Sequence, residues 1–360
     1  MRVGIIGAGP SGLALARLLT DNGYYVYVYE AHKSYAVKPC GWGFPVLDGD
    51  EGSYRVFREI LGSVIWSYSG YDVYLDDALV YHSRSNIVGH IIDKREFLSR
   101  LSHNVRVFLG YQARYRGNGV ILSKEGEERF DIVVIAGGYI SQPRRLDRIM
   151  ALQAIMRAPS IEEPEIPELR FYSELVGYAW IFPEGEKTAR VGVGGYASRQ
   201  ELEGILRRVI RARRDLSGGS IARIEGAEVT VSGIDWDIAG SRDPYYVGEA
   251  LGYVMPATGE GIRPGIWSSI ALFRSIENKT QYQEELRRLR LTRSMGIQKK
   301  VLDMMLRMKP RERGEFLRSI PEDLMLKISL GRVENQDLLR IAGIPSIIKI
   351  LARYSLKLPV

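Results

Sequence analysis

The N-terminal stretch "RVGIIGAGPSGLALARLLTDNGYYVYVYE", residues 2–30, decides the fold. An apolar run that predicts a buried strand leads into a Gly-x-Gly-x-x-Gly pattern, a predicted helix follows, and a second predicted strand ends in an acidic residue. Such glycines bring a helix N-terminus close to a pyrophosphate, and the acidic residue accepts hydrogen bonds from a ribose. We therefore expect a dinucleotide to be bound by Gly7, Gly9, Pro10, Ser11, Gly12, Glu30 and the adjacent Ala31.

A second glycine-rich stretch, "VGEALGYVMPATGEGIRPGIWSS", lies at residues 247–269. It again predicts a strand, a loop and a helix. FAD is an extended molecule that needs contacts from both ends of a chain, whereas a simple NAD dehydrogenase does not need the second stretch. We therefore expect FAD, with the exposed N–H groups and positive dipole of the second helix facing the pyrimidine edge of the flavin.

The second stretch resembles the FAD-closing motif of the geranylgeranyl reductase family, within the p-hydroxybenzoate hydroxylase-like, glutathione-reductase-type flavoproteins. That family typically carries Gly-Asp-Ala-Ala-Gly and then Pro-x-Thr-Gly-Glu-Gly-Ile, and this chain has "GEALG" at 248–252 and "PATGEGI" at 256–262. "YAWIFP" at 178–183 is similar to its Tyr-x-Trp-x-Phe-Pro motif. The resemblance covers roughly residues 1–277. It implies an FAD-dependent oxidoreductase that reduces C=C bonds of an isoprenoid lipid.

The resemblance also implies the positions of the site residues. The helix "DKREFLSRL" at 93–101 is similar to one whose arginine reaches the cofactor phosphates, and "CGWG" at 40–43 falls where the family places a small-residue segment beside the flavin. The cofactor contacts implied in this way are Cys40, Gly41, Trp42, Gly43, Arg95, Ala113, Gly248, Glu249, Gly259, Gly261 and Ile262.

Cys40 is the only cysteine of the chain. Reduction of an unactivated alkene needs a proton as well as a hydride, and a thiol, which is mostly protonated at neutral pH, can donate one. The other interpretation is a small residue that fits a tight turn.

Three aromatic residues in the Tyr-x-Trp-x-Phe-Pro motif, Tyr178, Trp180 and Phe182, alternate along a predicted strand. Alternate residues of a strand point to the same face. These rings are candidate substrate-binding residues that line an apolar tunnel for an isoprenoid chain; the alternative is that they belong to the core of a sheet.

Two departures from the family pattern keep other functions open. Glu249 replaces an aspartate, and "IAGGYIS" at 135–141 lacks the aspartate of the Ala-Asp-Gly motif of the hydroxylase relatives. The missing aspartate counts against a flavin-dependent monooxygenase or halogenase relative, which is the second hypothesis. The third is a non-catalytic or electron-transfer FAD-binding protein.

The element pattern predicts an α/β fold. A Rossmann-like FAD-binding domain (1–52, 90–165 and 236–277) interleaves with an antiparallel β-sheet substrate layer (53–89 and 166–235), and a helical basic C-terminal segment (278–360) follows. Because the apolar run from Val3 leads straight into the glycine motif, we expect Met1 to begin the fold.

Charge is uneven along the chain. The net charge is +7, and residues 280–360 hold 17 Lys and Arg against 9 Asp and Glu. This segment suits an acidic surface such as phospholipid headgroups, through the amphipathic stretch at 345–358, or it is a solvated face that packs on the protein's own core.

We expect a cytoplasmic protein, peripheral to the inner face of the cell membrane, with no nucleic-acid partner. The electron donor would be ferredoxin or NAD(P)H. The four histidines lack zinc-like spacing, so no metal site is expected.

Overall fold

Strands and helices interleave in the computed structural model, which describes residues 1–47 and 49–343. The strands are β1 (Arg2–Ile6), β2 (Tyr25–Glu30), β3 (Gly43–Pro45), β4 (Val64–Leu75), β5 (Ala78–Ile92), β6 (Arg106–Leu109), β7 (Arg114–Gly117), β8 (Val120–Ser123), β9 (Gly126–Arg129), β10 (Ile132–Ile135), β11 (Arg148–Arg157), β12 (Glu168–Phe171), β13 (Gly177–Pro183), β14 (Thr188–Gly195), β15 (Ser220–Thr230) and β16 (Tyr245–Tyr246). The helices are α1 (Pro10–Asp21), α2 (Gly49–Ser53), α3 (Arg55–Leu61), α4 (Lys94–Leu101), α5 (Arg199–Ala212), α6 (Arg214–Ser217), α7 (Trp236–Ala239), α8 (Ile262–Asn278), α9 (Tyr282–Arg288), α10 (Arg290–Arg307), α11 (Pro310–Ser319), α12 (Glu322–Ser329) and α13 (Asn335–Ala342).

A five-stranded parallel sheet carries the first glycine motif. Its order is β16-β10-β1-β2-β6, and the central strand β1 is buried at Val3 and Ile5, as a parallel sheet covered on both faces requires. The chain leaves the carboxyl end of β1 and enters α1 directly. Ligands of such sheets bind at this edge, so the topology places the motif where a dinucleotide is expected.

An eight-stranded sheet forms the second layer, in the order β15-β11-β14-β13-β12-β4-β5-β3. One face of its centre is covered by α5, whose Leu202, Leu206 and Val209 pack against Val191 and Val193 of β14. The opposite face is therefore left for the aromatic side chains of β13. A small three-stranded sheet, β7-β8-β9, extends the parallel-sheet layer.

The large sheet includes two strands, β3 and β11, from segments that the sequence analysis assigns to the FAD-binding domain. β11 pairs with both β14 and β15, and β3 pairs with β5. These pairings join residues far apart in the chain that local patterns do not reveal, and the domain boundaries at 52 and 165 stay a prediction. The predicted fold class is confirmed.

In its described part, up to residue 343, the C-terminal segment is helical, as predicted, and α11 begins at Pro310. Phe316 and Leu317 of α11 and Leu324 of α12 form a cluster with Leu75 of β4, so these helices pack on the large sheet. The amphipathic stretch predicted at 345–358 lies outside the described residues. None of the helices in the described part of the chain combines the length and apolar character that a membrane crossing needs.

Candidate flavin site

A cavity of about 970 Å³ lies between the carboxyl edge of the parallel sheet, the large sheet and the C-terminal helices. The predicted site residues that line it are Gly7, Gly9, Pro10, Ser11, Glu30, Ala31, Cys40, Gly41, Trp42, Gly43, Ala113, Tyr178, Trp180, Phe182, Glu249, Gly259, Gly261 and Ile262. Three predicted residues are not among the lining residues: Gly12, Gly248 and Arg95. The structure thus brings together most of a site whose parts are up to 255 residues apart in sequence.

The glycines of the first motif have distinct roles. Gly7 has φ +113°, and a Cβ there would lie 2.5 Å from the Ala136 carbonyl oxygen; a Cβ on Gly12 would lie 2.0 Å from the Gly7 carbonyl oxygen. Gly9, at the N-cap of α1, has no atom within 4 Å of its Cβ position. No side chain caps this helix and its first turn holds no acidic residue, so its free N–H groups and positive dipole suit a pyrophosphate.

The two glycine motifs pack on each other through Ser11. A Cβ on Gly248 would lie 2.1 Å from the Ser11 hydroxyl oxygen, and one on Gly265 would lie 2.3 Å from it. The Ser269 hydroxyl donates to the Ser11 carbonyl oxygen at 2.8 Å. Gly248 therefore permits the close approach of α1 and α8 rather than facing the cavity.

Glu30 is the acidic residue at the end of β2. Its Oε2 accepts a hydrogen bond from the Ala8 N–H at 2.9 Å, and its Oε1 accepts one from the His32 N–H at 2.9 Å and lies 2.7 Å from His32 Nδ1. An ionised carboxylate has about four acceptor sites, so ribose hydroxyls can still bind. His32 lines the cavity beside Glu30 and is a site residue that motif reasoning missed.

Glu249 faces a lysine across the cavity. The Lys38 ammonium lies 2.6 Å from Glu249 Oε2, and the Thr230 N–H donates to Oε1 at 3.1 Å. Both carboxylate oxygens are thus held. Lys38 was not predicted, because the pair spans 211 residues of sequence.

The loop before α8 is fixed from several sides. Within it, the Gly259 N–H donates to the Met255 carbonyl at 2.8 Å. The Tyr178 hydroxyl donates to the Thr258 carbonyl at 2.6 Å, and Gln298 of α10 accepts from the Ala257 N–H at 3.1 Å. Helix α8 has no side-chain cap and no acidic residue in its first turn, so its N-terminus suits the electron-rich edge of a reduced flavin.

The Cys40 loop packs against the aromatic strand. Cys40 is half-buried, and its Sγ accepts from the Trp42 N–H at 3.4 Å. Cβ atoms on Gly41 or Gly43 would each lie 3.1 Å from the Phe182 ring, so larger residues would push the loop off the strand. Small residues therefore place the sulfur at the cavity wall.

The aromatic side chains of β13 form a row, as the strand alternation predicts. Ring centroids of Tyr178 and Trp180 are 5.9 Å apart, those of Trp180 and Phe182 are 6.3 Å apart, and Phe171 of β12 extends the row at 5.8 Å from Tyr178. Gly192 lies under the indole, since a Cβ there would come within 2.1 Å of Trp180. Phe171 packs against a mainly aliphatic cluster, and the cavity wall there is lined by Ile297, Val301, Leu302, Met305, Phe316, Leu317 and Ile320.

Helix α4 presents Lys94, and not Arg95, to the cavity. Lys94 is only 6% exposed and lines the cavity, whereas Arg95 is exposed. The Asp93 side chain caps the helix and fixes its rotation, with Phe97, Leu98 and Leu101 on the buried side together with Lys94. Arg95 thus does not line the cavity, and its contact with the cofactor phosphates stays a prediction.

These features define an FAD-dependent oxidoreductase. The parallel sheet, the paired glycine motifs and the uncapped helix ends fit an extended dinucleotide, and the family model for NAD(P)-binding Rossmann-like domains matches residues 5–37.

Relatives of this chain include proteins named geranylgeranyl diphosphate reductase and digeranylgeranylglycerophospholipid reductase, so the predicted resemblance is confirmed. The chain is 27% identical to the geranylgeranyl diphosphate reductase of Synechocystis over 73% of its length and 72% of that protein. It is 26% identical to digeranylgeranylglycerophospholipid reductase 2 of Methanopyrus kandleri over 73% of each chain. A geranylgeranyl bacteriochlorophyll reductase-like structure from Thermoplasma acidophilum shares the fold with a TM-score of 0.79 and 19% identity, over 98% of both chains.

Proposed function

We propose that this protein reduces carbon–carbon double bonds in the isoprenoid chain of a lipid. The observation that carries the proposal is the continuity of the cavity, which runs from both glycine motifs past Cys40 and along the aromatic row to an aliphatic end. The relatives, named for geranylgeranyl diphosphate and digeranylgeranylglycerophospholipid, support this substrate class.

The cofactor end of the cavity would hold FAD through the residues described above. Gly9 and the N-terminus of α1 would face the pyrophosphate, Glu30 the ribose, and the N-terminus of α8 the flavin ring. When bound and reduced, FAD supplies a hydride.

The remaining residues would bind the alkene and supply its proton. The row Tyr178, Trp180 and Phe182 offers an apolar surface on which an isoprenoid chain loses its contact with water. Burial raises the pKa of Tyr178, and its hydroxyl is engaged by Thr258, so this phenol is a poor proton donor. Cys40, at the wall of the same cavity, is the better candidate for the proton donor.

The test begins with protein reconstituted with FAD and reduced without oxygen. Geranylgeranyl diphosphate, a geranylgeranylated glycerophospholipid and a saturated control lipid are then added separately. Flavin reoxidation with a gain of two hydrogens per reduced double bond supports the proposal. Reoxidation by oxygen alone with a hydroxylated lipid would support a monooxygenase instead, and an FAD-loaded protein inert to every lipid would leave an electron-transfer or binding role.

The proton source is tested with Cys40→Ser and Cys40→Ala. Both variants should retain FAD, since the hydrogen bond that the thiol accepts from the Trp42 N–H is long, at 3.4 Å, and both should slow alkene reduction. Unchanged turnover in either would remove Cys40 from the mechanism.

The electron donor and membrane contact belong to the same proposal. Ferredoxin and NAD(P)H would each be offered to the oxidised protein, and the faster flavin bleaching identifies the donor.

The basic segment 280–360 would bring the site to an anionic lipid surface, so the full chain should sediment with anionic vesicles and not with neutral ones. If the protein sediments with neither kind of vesicle, the basic segment does not bring the site to a membrane, and the lipid must reach the cavity by another route.

A further inference from the structure

Two buried side chains, from a helix and from a strand, donate hydrogen bonds to the backbone of the Cys40 loop. The Lys94 ammonium of α4 donates to the Lys38 carbonyl at 2.7 Å, and Gln153 of β11 donates to the Cys40 carbonyl at 3.2 Å. Lys94 is 6% exposed and Gln153 is 3% exposed, and both line the cavity. Two separate elements therefore fix the backbone on either side of Pro39 and with it the position of the thiol.

Lys94 is an unusual residue to bury. Lysines are rarely buried without an ion-pair partner, yet within the described part of the chain no carboxylate lies within 4.0 Å of this ammonium. Burial lowers the pKa of Lys94, while Cys40, and more weakly Glu225 and Glu249, oppose that shift and Lys38 adds to it.

Gln153 provides an independent sign that this wall faces a ligand. Its amide N–H group also donates to Glu225 at 3.1 Å, but its carbonyl oxygen Oε1 has no partner among the described residues. A buried acceptor without a partner is costly unless a bound molecule or water satisfies it. It lies next to the backbone of Cys40, so the loop, the lysine and the glutamine border one space.

Resting on the proposed function, we propose that Lys94 is a positioning residue for Cys40: it fixes the loop through Lys38 and stabilises the thiolate that remains after Cys40 has donated its proton. The electrostatic attraction of a buried cation for a thiolate is large because little water screens it.

With reduced FAD bound, a hydride would bring two electrons and form a C–H bond at one alkene carbon as the π bond breaks. The other carbon would take the proton of the Cys40 S–H, whose bonding electrons would stay on sulfur as a thiolate in the loop that the Lys94 ammonium holds through the Lys38 carbonyl. Water restores the thiol proton after the saturated product leaves.

The test is the pH dependence of Cys40 alkylation by iodoacetamide in the FAD-loaded full chain. Only the thiolate reacts, and this chain has a single cysteine, so the rate reports on one group. Lys94→Met removes charge and hydrogen bond, Lys94→Gln removes the charge but keeps an N–H donor, and Lys94→Arg keeps the charge. Arg95→Met, on the exposed side of the same helix, is the matched control.

We expect alkylation near neutral pH to be about tenfold slower in the Met and Gln variants, because a neutral side chain at position 94 no longer favours the thiolate. Arg95→Met should remain within about twofold of the wild type, since it keeps Lys94, and Lys94→Arg should stay closer to the wild type than Lys94→Gln does, since it keeps a cation at position 94. If Lys94→Met does not fold, the Gln and Arg variants decide the question.

Profiles of Lys94→Gln and Lys94→Met that superimpose on the wild type would overturn the proposal. So would a wild-type thiol that reacts at no pH, because an alkene could not reach it either. Alkylation needs no lipid, so a failure of lipid reduction with the expected pH shift would refute the proposed function and leave the Lys94–Cys40 pair standing.

Discussion

A methyl group at Gly9 should separate cofactor binding from folding. Gly9 has φ −77° and ψ −177°, which alanine adopts without strain, and no atom lies within 4 Å of its Cβ position. The folded protein therefore accommodates Gly9→Ala, and the reduced freedom of the unfolded chain favours it by about 0.4–1 kcal/mol. The new methyl group would stand in the space where the pyrophosphate meets α1.

The loss of affinity follows from that position. An extra methyl group in a close-packed contact typically costs about 1–3 kcal/mol. If FAD lies against Gly9, its dissociation constant should rise about 5- to 150-fold. The melting temperature of the FAD-free protein should stay the same or rise slightly.

Two further glycines serve as controls. Gly12→Ala brings a Cβ to 2.0 Å from the Gly7 carbonyl oxygen, so it should lower both stability and affinity. Gly204→Ala, inside α5 with open space around it, should add about 0.5–1 kcal/mol of stability and leave FAD affinity unchanged. Flavin fluorescence titration gives the affinity, and thermal unfolding gives the stability. A Gly9→Ala protein that binds FAD as tightly as the wild type would refute the placement of the pyrophosphate.

Three more variants test other contacts. Arg95→Ala should leave FAD affinity unchanged because the guanidinium lies outside the cavity lining; a tenfold loss in the same titration would restore the motif-based assignment. Tyr178→Phe leaves the Thr258 carbonyl without its donor, at about 1–3 kcal/mol, so FAD should dissociate faster as the loop loosens, as followed by flavin fluorescence after dilution. Burial alone would raise the pKa of Asp215, but the Arg213 guanidinium and two backbone N–H groups hold it below its usual value. The ionised Asp215 stabilises the folded protein fully above the ordinary aspartate pKa of about 3.9, and this contribution is lost as the pH falls through the lowered pKa. Asp215→Asn should flatten the acid side of a melting-temperature profile, and an unchanged slope would contradict this.

Local sequence patterns predict the strands and helices correctly where neighbouring residues determine the structure. The strand–glycine–helix–strand unit at residues 2–30 and the helix at 94–101 formed as predicted. The signal that separates Lys94 from Arg95 was also present: Lys94, Phe97, Leu98 and Leu101 have the spacing of one helix face, and Arg95 lies about 100° away from it. For these two residues the family motif and the helix periodicity give different predictions, and the observed burial agrees with the periodicity.

Pairings between distant segments were beyond the reach of the sequence. β11 carries apolar residues on consecutive positions, "IMALQAIM", which fit either a buried strand of the parallel sheet or one of the large sheet. Its partners β14 and β15 lie further along the chain, and nothing in the sequence selects them. The Lys38–Glu249 pair depends in the same way on the folded loop.

The C-terminal helices acquire a role that their composition did not indicate. Gln298 of α10 is 1% exposed; its amide accepts from the Ala257 N–H and donates to the Ile328 carbonyl at 2.8 Å. One buried amide thus joins the flavin-side loop to the end of α12, and α10, α11 and α12 also line the aliphatic end of the cavity. Because buried polar groups resist losing their partners, a displacement of these helices has to move the loop or break both bonds. If a lipid chain is seated among these helices, as the proposed function requires, it would act on the same backbone that is proposed to face the flavin, and the substrate end of the site would be connected mechanically to its cofactor end.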